Sequence, residues 1–469
     1  MTDKAAPSYS PQTFKALTFF DARSQFEKGT DTPRDYLERC LATIQEREPV
    51  VKAWVVTNEE SARAQADASA ARYKAGAPLS PIDGLVMGIK DLHATKDMPT
   101  QLGSRAYEGN FPKNDDAPIQ ALRDAGAIIL GKAVTTELGA SHPGPTTNPF
   151  DPNRTPGGSS SGSAALVGAR MAPAALGSQV GGSIIRPASY CGNYALKPSQ
   201  GALNRGQRQG QSQSVIGVHA GSLEDVWSVA IEIASRVGGD PGHPGLAGPQ
   251  NLPSARKPER LIVLETEGWA NLDDTTKEVF EDLVDRIGKQ NIQILRRKDD
   301  PLIEGFEQSI ASFKADTMKV RSFENRWVLR NVEEEYPGKL SWRLRDIYHN
   351  AQSLTQAQYR YALQLRENAR RRYADLRQLA DGFITLSSIG IAPIWKGDIE
   401  GEPLNRRPTG DVDFNAPASG LGCPAVNVPL MAINGMPLGL QVMGQRDDDA
   451  ATIAISRWIA DKIEPVVKN

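Results

Sequence analysis

From residue 81 onward the chain breaks into short apolar runs punctuated by Gly and Pro: GLVMGIKD and AIILGKA, with APIQALRDAG between them. Runs of that length flanked by breakers read as buried strands, and the segment between them reads as a helix. Such alternation constrains the fold to an α/β sheet with parallel portions. The pattern restarts after the Gly/Pro-rich stretch GGDPGHPGLAGPQNLPSARKP, where RLIVLETEGW is a strand, LDDTTKEVFEDLVDRIGKQ a helix and IQILRR another strand. GFITLSSIGIAP returns to the core. CPAVNVPLMAINGMPLGLQVMG then reads as two strands joined by an Asn434-Gly435 turn, and DDDAATIAISRWIADKI as a closing helix.

The first eighty residues read as helical. Asp31-Thr32-Pro33 supplies a cap and a first-turn proline, and Leu37, Cys40, Leu41 and Ile44 follow at helical spacing. NEESARAQADASAARYKAG reads as a second helix stopped by Gly76. Residues 303–380 carry charges and aromatics at helical spacing and read as a helical subdomain over the sheet. The expected organisation is an N-terminal helical segment (1–80) packing on an α/β core (81–302 and 381–469), with the 303–380 subdomain near a substrate pocket. Trp327, Tyr336, Trp342 and Trp395 could line that pocket or pack between helices.

Bulk properties exclude several classes. Lys plus Arg (54) nearly balance Asp plus Glu (56), and there is no long basic run, so nucleic acid is not an expected partner. No run of eighteen apolar residues implies a membrane span, and the opening MTDKAAPSYSPQ lacks a signal-peptide layout. Cys40, Cys191 and Cys423 are odd in number and far apart, which argues for buried free thiols in a reducing cytoplasm rather than disulfides or a metal site.

The segment TPGGSSSGSAALVGARMAPAALGSQVGGSIIRPAS, residues 155–189, holds seven serines among closely set glycines. A flexible linker would not run on into AALVGARMAPAALG, whose small apolar residues suit a tightly packed helix. Glycines beside a serine let the backbone turn sharply, so that several N–H groups can converge next to a hydroxyl, as an oxyanion hole requires. Two motif matches fail. GAIILGKA lacks the Ser or Thr of a phosphate-binding loop, with Ala133 in its place. GSSSG, centred on Ser160, resembles a nucleophile elbow, but TTNPFDPNRTPG before it reads as loop, and the downstream His219, His243 and His349 sit in undistinguished settings. With histidine poorly placed, the best candidate base is Lys90 at the end of the apolar run GLVMGIKDL, where desolvation would lower its pKa.

Taken together, GIKDL, PGGSSSGSAALVGA and GSQVGGSIIRPASYCG resemble the amidase signature family of serine hydrolases, in detail over about residues 80–205 and again in FNAPASGLGCPAVNVPL and MPLGLQVMGQRDDDA. Ser159 and Ser183 are 24 residues apart and Lys90 precedes Ser159 by 69, intervals similar to those of malonamidase-type members. The resemblance implies a large mixed, twisted central sheet covered by helices on both faces. It implies Ser183 as acyl-forming nucleophile, Ser159 as a bridging serine after a cis peptide, and Lys90 as the neutral base. Backbone N–H groups of Val180, Gly181, Gly182 and Ser183 would form the oxyanion hole, with no metal or organic cofactor.

Two positions depart from the common family pattern: Gln179 replaces an acidic residue, and Ile185 stands where arginine is common, with Arg186 following. The malonamidase-like subgroup shares both changes and uses the arginine on a substrate carboxylate, so Arg186 and Gln179 are the expected substrate-binding residues, with a salt bridge or carbonyl contacts as the other role for Arg186. The expected activity is cleavage of a C–N amide bond in a small substrate. The alternatives are a partner-dependent glutaminase resembling the A subunit of tRNA-dependent amidotransferases, an ester or carbamate hydrolase, and a pseudoenzyme scaffold. A homodimer is the family expectation.

Overall fold

The computed structural model describes residues 8–206, 211–398, 405 and 407–469. Residues 1–7 of the opening stretch read for a targeting signal lie outside them. Twelve strands form one mixed sheet: β1 (Trp54–Thr57), β2 (Val86–Lys90), β3 (Ile128–Ala133), β4 (Ala174–Gln179), β5 (Tyr194–Lys197), β6 (Val215–Ala220), β7 (Arg260–Val263), β8 (Gln293–Leu295), β9 (Gly382–Leu386), β10 (Ala425–Ile433), β11 (Met436–Met443) and β12 (Val466–Lys468). Their order is β1-β3-β2-β4-β6-β5-β10-β11-β9-β7-β8, with β12 beside β10. The β2–β3, β2–β4, β7–β8, β7–β9 and β10–β12 pairs are parallel and the rest antiparallel. Every residue of β2, β3, β4, β6, β9, β10 and β11 is buried, so helices cover both faces. That double burial is why these strands read as continuous apolar runs rather than alternating ones.

Local signals act as expected. Thr32 accepts the Asp35 N–H at 3.1 Å and Pro33 opens the helix Pro33–Val51, which buries Leu37, Cys40, Leu41 and Ile44. Asn434 (φ 51°) and Gly435 (φ 69°) both turn left-handed, which gives the β10–β11 connection the twist a two-residue hairpin needs. The three cysteines are buried and free. Among the described residues no helix is long and apolar enough to cross a membrane.

Two readings are corrected. The first eighty residues are not wholly helical: Trp54–Thr57 pairs antiparallel with β3. A four-residue run between two helices is too short for its β-branched and aromatic content to stand out before tertiary pairing selects it. The run AALVGARMAPAALG is not one helix. The helix Ser161–Gly168 stops at Arg170 (φ 60°), Pro173 offers no N–H to continue it, and Ala174 begins β4. Alanine and glycine pack closely in either element, so periodicity carried no signal there.

The 301–375 stretch holds four helices: Pro301–Ser309, Phe313–Glu335, Trp342–Gln352 and Gln356–Asp375. Leu329, Val332, Leu340 and Leu344 make a small apolar cluster with Ala106, separate from the main core.

Candidate active site

Strands β2 and β4 run parallel as neighbours, so their C-terminal ends share one sheet edge, where ligands of open α/β sheets collect. Lys90 ends β2, and Ser178 and Gln179 end β4. Ser159 and Ser160 precede the helix Ser161–Gly168 at the same edge, and Ser183 lies in the turn between β4 and the helix Ile185–Cys191. The Ser160 N–H donates to the Ser183 carbonyl at 3.3 Å, which ties the two serine segments together.

Lys90 is fully buried with Nζ 2.7 Å from Ser159 Oγ, 2.9 Å from Ser160 Oγ, 3.0 Å from Ser178 Oγ and 3.2 Å from the Ser178 carbonyl. No carboxylate pairs with it among the described residues, and burial pushes its pKa well below the ordinary lysine value. A neutral amine offers two N–H donors and one lone pair, so with four partners at least one hydroxyl donates to Nζ. Ser160 Oγ is placed to donate to the Ser178 carbonyl at 3.2 Å and accepts the Ser178 N–H at 3.2 Å. With that hydroxyl proton engaged, Ser159 or Ser178 faces the lone pair. The Gly158–Ser159 peptide is cis.

Ser183 borders a cavity of about 820 Å³ together with Val180, Gly181 and Gly182. Among the described residues its hydroxyl makes no hydrogen bond, so the Ser159–Ser183 link is open in this structure while the Lys90–Ser159 link is closed. The N–H groups of Gly181, Gly182 and Ser183 likewise donate to no acceptor among the described residues. Free donors at a cavity wall beside a serine are the arrangement that holds a developing oxyanion.

The two expected substrate-binding residues are occupied otherwise. Gln179 is 1% exposed; its Oε1 accepts the N–H groups of Ile184 (2.8 Å) and Ile185 (3.1 Å), and its Nε2 donates to Ser419 Oγ at 3.0 Å. Ser419 in turn donates to the Gly181 carbonyl at 2.7 Å. Gln179 therefore shapes the turn carrying Ser183 and is not on the cavity wall. Arg186 borders the cavity, but its guanidinium holds three carbonyls, those of Thr409 (2.8 Å), Asp411 (3.2 Å) and Gly158 (2.6 Å). These contacts fasten the 409–411 loop to the serine turn.

Of the four aromatics considered for the pocket, Trp342 borders it. Trp327 is 61% exposed, and Tyr336 packs on Tyr107 with ring centroids 5.8 Å apart. Trp395 lies within 5.8 Å of the Arg343 guanidinium. The elbow reading of Ser160 finds no histidine on its hydroxyl, which meets Lys90 Nζ instead. His219 is buried, its Nδ1 meets Asn193 Oδ1 at 3.2 Å, and burial lowers its pKa to about 3. The sequence reading missed Ser178, which the GSQVGGS motif contains, and Ser419, which no local signal connects to the site.

The amidase family profile matches residues 35–453. In Chloroflexus aggregans, the A subunit of the Glutamyl-tRNA(Gln) amidotransferase is 30% identical over 476 aligned residues, covering 94% of this chain and 95% of that protein. Fatty acid amide hydrolase of Arabidopsis thaliana is 27% identical, covering 99% of this chain and 81% of that one. A solved amidase structure superposes with a TM-score of 0.82 at 25% identity, over 95% of this chain and 100% of that chain. The structure of 6-aminohexanoate cyclic dimer hydrolase (TM-score 0.80, 19% identity, 95% and 97% covered) shares the fold.

Proposed function

The chain belongs to the amidase family, and on that premise we propose that it hydrolyses a C–N amide bond of a small substrate through an acyl-enzyme on Ser183. The observation that carries this reading is the buried, carboxylate-free Lys90, 2.7 Å from Ser159 Oγ, in a serine segment bonded to the one that carries Ser183. Neutral Lys90 takes the Ser159 proton as Ser159 takes that of Ser183, and Ser183 Oγ bonds to the amide carbon. The carbonyl oxygen becomes an oxyanion held by the N–H groups of Val180, Gly181, Gly182 and Ser183. The relay returns a proton to nitrogen as the C–N bond breaks and the amine leaves. Water then repeats the sequence on the ester, freeing the acid and restoring Ser183.

Within the family, the 24-residue serine interval and the GGSIIRPA wording favour the malonamidase-type branch. The helices within 303–380 act as the subdomain that walls the cavity. A second reading, the partner-dependent glutaminase, is favoured by the full-length similarity to an amidotransferase component. Glutaminase activity that appears only on adding partner proteins would select it.

The direct test is labelling with a fluorophosphonate, followed by intact mass and peptide mapping. A single adduct on Ser183, lost in Lys90→Ala, is expected, with Ser183→Ala folded but inactive and Lys90→Ala slower by several orders of magnitude. An adduct on Ser160, or near-normal turnover in either variant, would overturn the relay.

A further inference from the structure

Two helices border the same cavity as Ser183, each through one stripe of its surface. Phe313–Glu335 contributes Thr317, Met318 and Arg321, and Trp342–Gln352 contributes Trp342, Asp346 and Ile347 among others. The spacing of these positions, three and four apart, is that of a single helical face.

Four arginines reach this cavity: Arg186, Arg321, Arg343 and Arg407. Three have partners. Arg186 holds its three carbonyls. Arg343 meets Asp398 at 2.6 Å and the Asn405 carbonyl at 2.6 Å. Arg407 pairs with Asp411 at 3.0 Å. Arg321 makes no hydrogen bond or ion pair among the described residues. Burial, and then the like charge of Arg407, both work against its charged form. Arginine nevertheless stays protonated in proteins. A partly desolvated guanidinium facing a second cation is costly unless an anion joins it. Asp346, the one carboxylate among the described residues bordering the cavity, is exposed and unpaired with it.

We propose that Arg321 is the anion-recognition residue of this cavity, and that the amide substrate carries a carboxylate seated on Arg321 with Arg407 alongside. Met318, Ile347 and Val412 leave an apolar stretch of wall for the chain joining that carboxylate to the scissile amide. The proposal rests on Ser183 being the nucleophile, and it moves anion recognition away from Arg186 to a residue on a helix 138 positions after Ser183.

The test compares kcat/KM for charged and uncharged amides of matched length in two series. Monoamides of C3 to C6 dicarboxylic acids carry the anion on the acyl side, with straight-chain amides as their uncharged partners. N-acetyl ω-amino acids carry it on the amine side, with N-acetyl alkylamines as partners. A charged hydrogen-bonded pair supports discrimination of about 10- to 100-fold, so the wild type should favour the anion by that factor in at least one series. In Arg321→Gln that ratio should fall to within about threefold of one, chiefly through KM, and Arg321→Lys should keep part of it. No preference at any length in the wild type, or a preference that survives in Arg321→Gln, overturns the proposal. If the wild type turns over none of these amides, it is the hydrolase reading that fails. Calorimetric binding of the charged probes to Ser183→Ala, with and without Arg321→Gln, then decides the anion site: binding lost with Arg321 upholds it, and binding equal or absent in both overturns it.

Discussion

At the residue scale the site turns on one proton. Ordinary lysine titrates near 10.4 and would be a cation at neutral pH. Burial among hydroxyls and a carbonyl, with no carboxylate at hand, favours the neutral amine in Lys90 and leaves its lone pair facing a serine. Activity that requires the neutral form must rise with pH through the folded-state pKa. Because that pKa is depressed, the rise falls below the ordinary lysine range. We therefore expect kcat/KM, under conditions where chemistry limits, to rise and level off on the acid side of the ordinary lysine range. A rise that comes only in the ordinary lysine range, at about pH 10, would mean that burial does not neutralise the base.

At the element scale the helix Ser161–Gly168 explains why the serine-rich run is so poor in side-chain volume. The Gly162 N–H donates to the Val134 carbonyl at 2.9 Å, so the helix rests directly on backbone. A Cβ at Gly162 would run into the Ala53 oxygen and the Val134 nitrogen, and one at Gly168 into the Cys191 oxygen. Gly162→Ala should therefore lift the helix, displace Ser159 from Lys90 and cost about 3 kcal/mol, near the upper end of overpacking penalties. A thermal scan and a turnover assay should show both losses together; an active variant of unchanged stability would mean that Ser159 does not depend on this docking. The same packing marks the limit of what the chain displays to a reader. Gly/Ser spacing made the serine turn legible and the apolar run GLVMGIKDL made Lys90 a candidate base, while the cis bond before Ser159 was implied by the family resemblance alone. The break at Arg170 was not legible, since alanine and glycine suit helix and strand alike, nor was the edge strand Trp54–Thr57, whose conformation is chosen by a partner far along the chain. The contacts of Gln179 and Arg186 follow this rule in part: beside nearby Ile184, Ile185 and Gly158 they bond Ser419, Thr409 and Asp411, more than two hundred positions away.

At the scale of the whole molecule, outer helices are joined to the sheet-bearing core through buried carboxyls. Asp225 accepts the N–H groups of Phe19 (2.8 Å) and Phe20 (2.9 Å), fastening the first helix, Phe19–Lys28. Glu307 accepts those of Glu265 (2.7 Å) and Thr266 (3.1 Å), fastening Pro301–Ser309 to the chain just beyond β7. Burial raises both pKa values to about 7 despite those hydrogen bonds. A carboxyl raised in the folded state contributes stability that is complete below its unfolded value, about 4, and is lost as pH rises to the folded one. Within that window each such group lowers the unfolding free energy by about 1.4 kcal/mol per pH unit. Carboxylates held low by arginine, such as Glu38 and Glu304 at about 2, lose their contribution below the ordinary carboxylate range. Lys197, lowered to about 8, acts on the alkaline side, where its stability term grows with pH. Between pH 5 and 7 the two raised carboxyls outweigh His219, whose pKa, lowered to about 3, works the opposite way up to its ordinary value, so the thermal midpoint should fall across that interval. Asp225→Asn and Glu307→Gln, which keep a carbonyl acceptor but cannot ionise, should each flatten the fall, and the double variant should flatten it further. A midpoint whose pH dependence is the same in all four proteins would place the ionisation burden elsewhere in the core.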